Sequence, residues 1–109
     1  MTSIRSEKTK NLMPATDLRK RLRAAGHDLS AVVQIGKLGV NEAVLKQVGG
    51  ALTVHELVKV KVNSECPLSR FEVAEQLATI PGASLAQIMG GAILVYRRDP
   101  KKARFEKVK

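Results

Sequence analysis

Ala31-Val32-Val33-Gln34-Ile35-Gly36-Lys37-Leu38-Gly39-Val40-Asn41-Glu42-Ala43-Val44-Leu45 changes character twice along its length. Its first five residues are a short apolar run rich in Val and Ile and read as a strand. From Asn41, a good N-cap, Val44, Leu45, Val48 and Leu52 recur on one face at helical spacing. Between them, Gly36-Lys37-Leu38-Gly39 places two glycines three apart, which lets the backbone turn tightly with its amides exposed. The helix that follows opens with unpaired N–H groups and a partial positive charge. A strand, a GxxG turn and a helix start form the first half of a strand–helix–strand crossover. They also form an anion seat with a lysine in it. A GxxG tetrapeptide alone is a common turn, so its meaning depends on its surroundings.

Downstream, the stretch from His55 to Asn63 alternates strictly from Val58 onward, with Val58, Val60 and Val62 on one face and Lys59 and Lys61 on the other. It reads as a half-buried strand. Ser69-Arg70-Phe71-Glu72 fits a capping box that opens a third helix, with Phe71, Ala74, Leu77 and Ala78 inward and a stop at Pro81-Gly82. Leu85–Met89 and Ala92–Tyr96 flank Gly90-Gly91, a two-residue hairpin turn. Upstream, Thr16 is a good N-cap for a first helix whose Leu18, Leu22 and Ala25 dock while Arg19, Lys20, Arg21 and Arg23 face solvent, ending at Gly26. Gly49-Gly50 weakens the middle helix by about 2 kcal/mol relative to alanines, with no evident functional reason.

The order is therefore α-β-α-β-α-β-β, an α/β single domain. Two strand–helix–strand units give parallel pairing, the hairpin adds an antiparallel pair, and the result is one mixed four-stranded sheet with packed helices. Residues 1–13 read as a disordered basic arm, 14–99 as the folded domain and 100–109 as a basic tail.

Charge is unevenly placed. The net charge is +9, yet from Ala24 to Tyr96 five basic residues face six acidic ones; the remaining fourteen basic and four acidic residues lie outside that body. Such clustering is the footprint of a polyanion partner, usually nucleic acid. No stretch has the length of an apolar membrane span and the N-terminus lacks the apolar core of a secretory signal, so no membrane association and a cytoplasmic location are expected. The single Cys66 has no partner for a disulfide and no His or Cys at metal-ligand spacing. Neither His27-Asp28 nor His55-Glu56 has a nucleophile nearby, so no catalytic residue, metal or cofactor is expected. The loop is no Walker motif, lacking the upstream glycine and the Ser or Thr after lysine.

Val32–Gly39, His55–Val62, Cys66-Pro67, Glu72–Leu77 and Ala92–Arg97, in that order, resemble the CRM domain, also called the YhbY-like domain. The resemblance runs from about Leu18 to Arg97. It implies a stand-alone bacterial RNA-binding protein associated with precursors of the large ribosomal subunit, and a fold related to the C-terminal domain of translation initiation factor three. In two places the chain departs from the family's pattern: Gly90-Gly91-Ala92 has no polar residue after the hairpin glycine, and Gly49-Gly50 replaces good helix formers.

The expected partner is therefore RNA, ribosomal RNA in large-subunit precursors, bound by a monomer. The candidate contacts are Arg19, Lys20, Arg21 and Arg23, the loop Gly36, Lys37, Leu38 and Gly39, the strand lysines Lys59 and Lys61, and Arg97 and Arg98 after the last strand. Lys59 and Lys61 also fit ordinary solvent-facing lysines. Of the three rings, Phe71 reads as core, and Tyr96 either as structural or as a base-stacking ring. Contacts should thus fall chiefly on phosphate and sugar. A structural or protein-binding ribosome-associated module with non-specific basic tails is the rival reading. DNA binding is a third, though no helix is placed to read a groove.

Overall fold

Every expected element forms. The computed structural model describes residues 13–101, and residues 1–12 of the expected arm and 102–109 of the tail lie outside the described residues. In chain order the elements are α1 (Thr16–Gly26), β1 (Ala31–Ile35), α2 (Glu42–His55), β2 (Leu57–Val62), α3 (Arg70–Leu77), β3 (Ser84–Met89) and β4 (Ala92–Tyr96).

The sheet order is β1-β2-β4-β3, with β1 and β2 parallel and β4 antiparallel to both of its neighbours. Only the first strand–helix–strand unit therefore pairs as expected. β3 runs in the direction of β2, but β4 is inserted between them. Composition explains the exchange: β4 is apolar from end to end and buried from Ile93 to Tyr96, so a central place covers both its edges and both its faces. β3 carries half-buried Gln87 and exposed Met89, which an edge tolerates.

Period-2 alternation splits the strands' side chains between two layers. Val33, Ile35, Val58, Val60, Leu85, Ile88, Ile93 and Val95 meet Val48 and Leu52 of α2 and Val73, Ala74 and Leu77 of α3 in the main core. On the opposite face Leu57, Ala86, Leu94 and Tyr96 surround Leu22 of α1, flanked by Leu18 and Ala25. The Leu18, Leu22, Ala25 stripe thus docks as its spacing predicts.

Local signals decide the boundaries with three differences from the expected ones, the first being that His55 closes α2, so that the strand expected over His55–Asn63 runs only from Leu57 to Val62. α1 is capped at Ala15, not Thr16; its carbonyl accepts the Arg19 N–H at 2.8 Å and no side chain caps the end. Asn41 caps α2, accepting from the Val44 N–H at 2.9 Å, and the Ser69–Glu72 capping box forms as read. α3, however, ends at Leu77 instead of running to Pro81. The Thr79 hydroxyl donates to the Gln76 carbonyl at 2.6 Å, and the residue before a proline disfavours helix, so the chain leaves through tight turns. α1 ends at Gly26 as read, though without a left-handed conformation there. Gly26 is a close-approach position, since a Cβ there would lie 2.4 Å from Leu94 Cδ1.

Candidate nucleic-acid interface

The Gly36–Gly39 segment closes as a turn, with the Gly39 N–H donating to the Gly36 carbonyl at 3.0 Å. Gly39 alone of the two glycines is left-handed, at φ +65°. This changes the amide inventory expected of the loop, because the Gly39 N–H closes the turn and the Val44 N–H of α2 is taken by Asn41. The Lys37 and Leu38 N–H groups have no acceptor among the described residues. Both side chains are exposed, Leu38 at 84%. The loop is braced from behind: the Pro67 and Leu68 side chains stand 3.7–3.9 Å from where a Cβ of Gly39 would sit.

β1 leads into this loop. Its outward residue Gln34 lies opposite Lys61 of β2, which lies opposite Ala92 of β4, itself opposite Met89 of β3. Asn63 fastens the end of this row, its N–H donating to the Ile35 carbonyl at 2.8 Å and its Nδ2 to Gln34 Oε1 at 3.5 Å. Lys61 is exposed, and Lys59, half-buried, stands on the same face. That face is the one α1 crosses. Arg19 and Arg23, one helical turn apart, border a groove of about 300 Å³ with Gln87 and Met89. Arg19 is half-buried with Nη1 3.5 Å from Met13 Sδ, while Lys20, Arg21 and Arg23 are exposed.

The α1 cations, Lys59 and Lys61 thus share the face of the sheet that α1 crosses, which the loop residues Gly36, Lys37, Leu38 and Gly39 border at the end of β1. Arg97 and Arg98 do not. They follow β4 at the far end of the sheet, and Arg97 reaches the other layer, its Nη2 donating to the Gly49 carbonyl at 3.1 Å and to Thr53 Oγ1 at 2.7 Å. Gly82 makes room for that side chain, whose Cγ and Cδ lie 3.3 Å from where a Cβ would be. Tyr96 is 3% exposed beneath α1. Of its two readings only the structural one holds, because its ring has no free face.

Sequence reasoning missed Glu56. It is fully buried, adopts φ +61°, caps α2 and ties down the chain after β4, its carbonyl accepting the Arg97 N–H at 2.8 Å and its Oε2 the Asp99 N–H at 2.7 Å. No local pattern announces this, since its partners lie about forty residues away. It also missed Gln34, which period-2 reading of β1 places outward, and Arg70, whose Nη1 donates to the Gly90 carbonyl at 3.2 Å and fixes the hairpin turn. His27 and His55 are exposed at the ends of α1 and α2. Among the described residues no three His, Cys, Asp or Glu side chains gather as a metal site.

The CRS1 / YhbY (CRM) domain model matches residues 15–97. The chain belongs to this family. CRM relatives include "Probable RNA-binding protein YqeI" of Bacillus subtilis, 36% identical over 84% of this chain and 96% of that protein. A second is "Probable RNA-binding protein PA4753" of Pseudomonas aeruginosa, 34% identical over 76% of this chain and 80% of that protein. The solution structure of the hypothetical protein SAV1595 from Staphylococcus aureus shares the CRM fold with a TM-score of 0.62, at 32% identity over 76% of this chain and 86% of that one. The resemblance seen in the sequence is thus a family membership, and the single-domain α/β architecture is shared with that solved structure.

Proposed function

We propose that this CRM protein binds RNA through the face that joins α1, the outward side of β1 and β2, and the Gly36–Gly39 turn. The reading is carried by cations of two separate chain segments on one face of the sheet, Arg19, Lys20, Arg21 and Arg23 of α1 and Lys59 and Lys61 of β2, with Lys37 in the turn that borders this face after β1. Relatives over most of their length carry RNA-binding names, which supports the same partner. The chemistry is contact with phosphate and sugar. Lysine and arginine side chains neutralise phosphates, the two unpaired amides of the turn donate to one phosphate beside Lys37, and no Phe, Tyr or Trp ring is fully exposed on the described surface for stacking. Such a surface selects by RNA shape.

The finer reading is a monomeric, cytoplasmic assembly factor whose RNA is ribosomal, in precursors of the large subunit. Sedimentation of cell extract on a gradient tests it. The protein should travel with large-subunit precursors and be absent from finished ribosomes. Stoichiometric presence in mature subunits would favour a structural ribosomal component instead. Retained binding of structured RNA after removal of residues 1–12 and 102–109 is the matching test of the folded body as the reader.

A further inference from the structure

Beside Lys59 a second groove, of about 250 Å³, opens between the end of α1 and the edge strand β1. Its walls are aliphatic, formed by Ala25, Leu29, Val32 and Leu57, and its rim carries Lys59 and His55. Leu29 and Val32 remain 37% and 47% exposed, two of the few large apolar side chains so placed. β1 is irregular at this point: pairing passes from Ala31–Lys59 to Val33–Val60, so two residues, Ala31 and Val32, lie against one. Bulges of this kind re-aim side chains and concentrate next to functional sites.

We infer that this groove holds one unpaired nucleobase of the RNA bound on the adjoining face. The inference rests on the RNA-binding reading above. Three observations favour this occupant. The groove is smaller than a drug-sized ligand site and apolar on its walls, which suits the faces of a single base. Its rim is cationic and continuous with the phosphate-binding strip, because Lys59 belongs to both. It also lies at the start of β1, about 10 Å or three strand residues from the Ile35 end that leads into the turn, so an RNA chain with a phosphate on the turn passes Gln34 and Lys61 on its way there. RNA readers usually splay an unpaired base onto an aromatic ring. With Tyr96 sealed under α1 and Phe71 packed against the main core, aliphatic walls and the His55 imidazole at the rim are what this groove has to offer a base.

The test is a methyl-detected NMR titration of the full chain with the four nucleoside 5′-monophosphates and, as a control of equal charge without a base, ribose 5-phosphate. The nucleotides should shift the methyl signals of Ala25, Leu29 and Val32, and ribose 5-phosphate should not. Equal shifts from both, or no shift at these methyls, overturn the inference. A Leu29→Ser, Val32→Ser double variant changes only exposed side chains. It should lose affinity for single-stranded RNA about tenfold, the order expected for losing the burial of an aliphatic side chain against the base, with an unchanged dependence on salt because no phosphate contact is removed. Unchanged affinity in this variant sinks the base site while leaving the RNA-binding reading intact if Lys61→Gln still weakens binding. If the wild-type chain binds no RNA, it is that broader reading that fails. Nucleotides leaving the methyls unmoved while an extended apolar peptide shifts them would reassign the groove to strand pairing on the β1 edge.

Discussion

Gly26 and Gly39 show how differently one residue type is used, and each carries a prediction. Gly26 brings α1 onto β4. An added Cβ would lie 2.4 and 2.7 Å from the Leu94 methyls and 3.1 Å from its Cγ, and Leu94 is itself buried in the small core beneath the helix. Gly26→Ala should cost about 1–3 kcal/mol of stability by overpacking, read from denaturant unfolding. Gly39 has room for a Cβ but not the backbone for one, at φ +65°; Gly39→Ala should cost about 1–2 kcal/mol. Gly36 has neither restriction, its nearest neighbour being Asn63 Nδ2 at 3.9 Å, so Gly36→Ala should be nearly neutral. If the turn seats a phosphate, a folded Gly39→Val variant loses RNA affinity beyond its loss of stability. Full affinity in that variant would remove the loop from the interface. The sequence marked both loop glycines alike, since the φ that distinguishes them is a tertiary outcome. Gly26 does end α1, but its close approach to Leu94 was not legible because Leu94 is far along the chain, and Glu56 escaped notice for the same reason.

Among the elements, α2 poses the question of its Gly49-Gly50 pair. The Gly49 carbonyl accepts from Thr53 Oγ1 at 3.1 Å and from Arg97 Nη2 at 3.1 Å, bonds that any residue's carbonyl would supply. A Cβ on Gly49 would meet Ile80 Cγ2 at an ordinary 3.8 Å, and one on Gly50 would meet nothing within 4 Å. Gly49→Ala and Gly50→Ala should therefore each stabilise the protein by about 0.5–1 kcal/mol, a rise in Tm of a few degrees in thermal unfolding. A fall in Tm would contradict this packing account. The elements themselves were legible because each carries its own period, caps and stops, from Asn41 through the Ser69–Glu72 box to Gly90-Gly91. The order of the strands was not. Whether β3 or β4 sits beside β2 depends on which is more apolar on both faces and both edges, a comparison between strands that no local window contains. The same holds for the bulge that places Ala31 and Val32 together against Lys59.

At the scale of the molecule, the charge asymmetry legible in the sequence acquires a direction. The exposed cations of α1, with half-buried Arg19, lie on the same face of the sheet as Lys59 and Lys61, with the turn at its border, whereas Arg97 is turned into the opposite layer and bonded to α2. Salt dependence converts this placement into a measurement, because each neutralised phosphate contributes about −0.7 to −0.9 to the slope of log affinity against log salt. Replacing Arg19, Lys20, Arg21 and Arg23 together by glutamine should flatten the slope by roughly two to four units. Leu18, Leu22 and Ala25 still dock the helix, so circular dichroism should report an intact fold. Lys37→Ala and Lys61→Gln should each shift the slope by about one unit. Arg97→Gln should leave it nearly unchanged and lower stability instead, since its guanidinium holds the Gly49 carbonyl and Thr53. If the four-residue variant keeps the wild-type slope while Arg97→Gln and Arg98→Gln flatten it, the RNA lies against the far end of the sheet, and the face that α1 shares with Lys59 and Lys61 is not the interface.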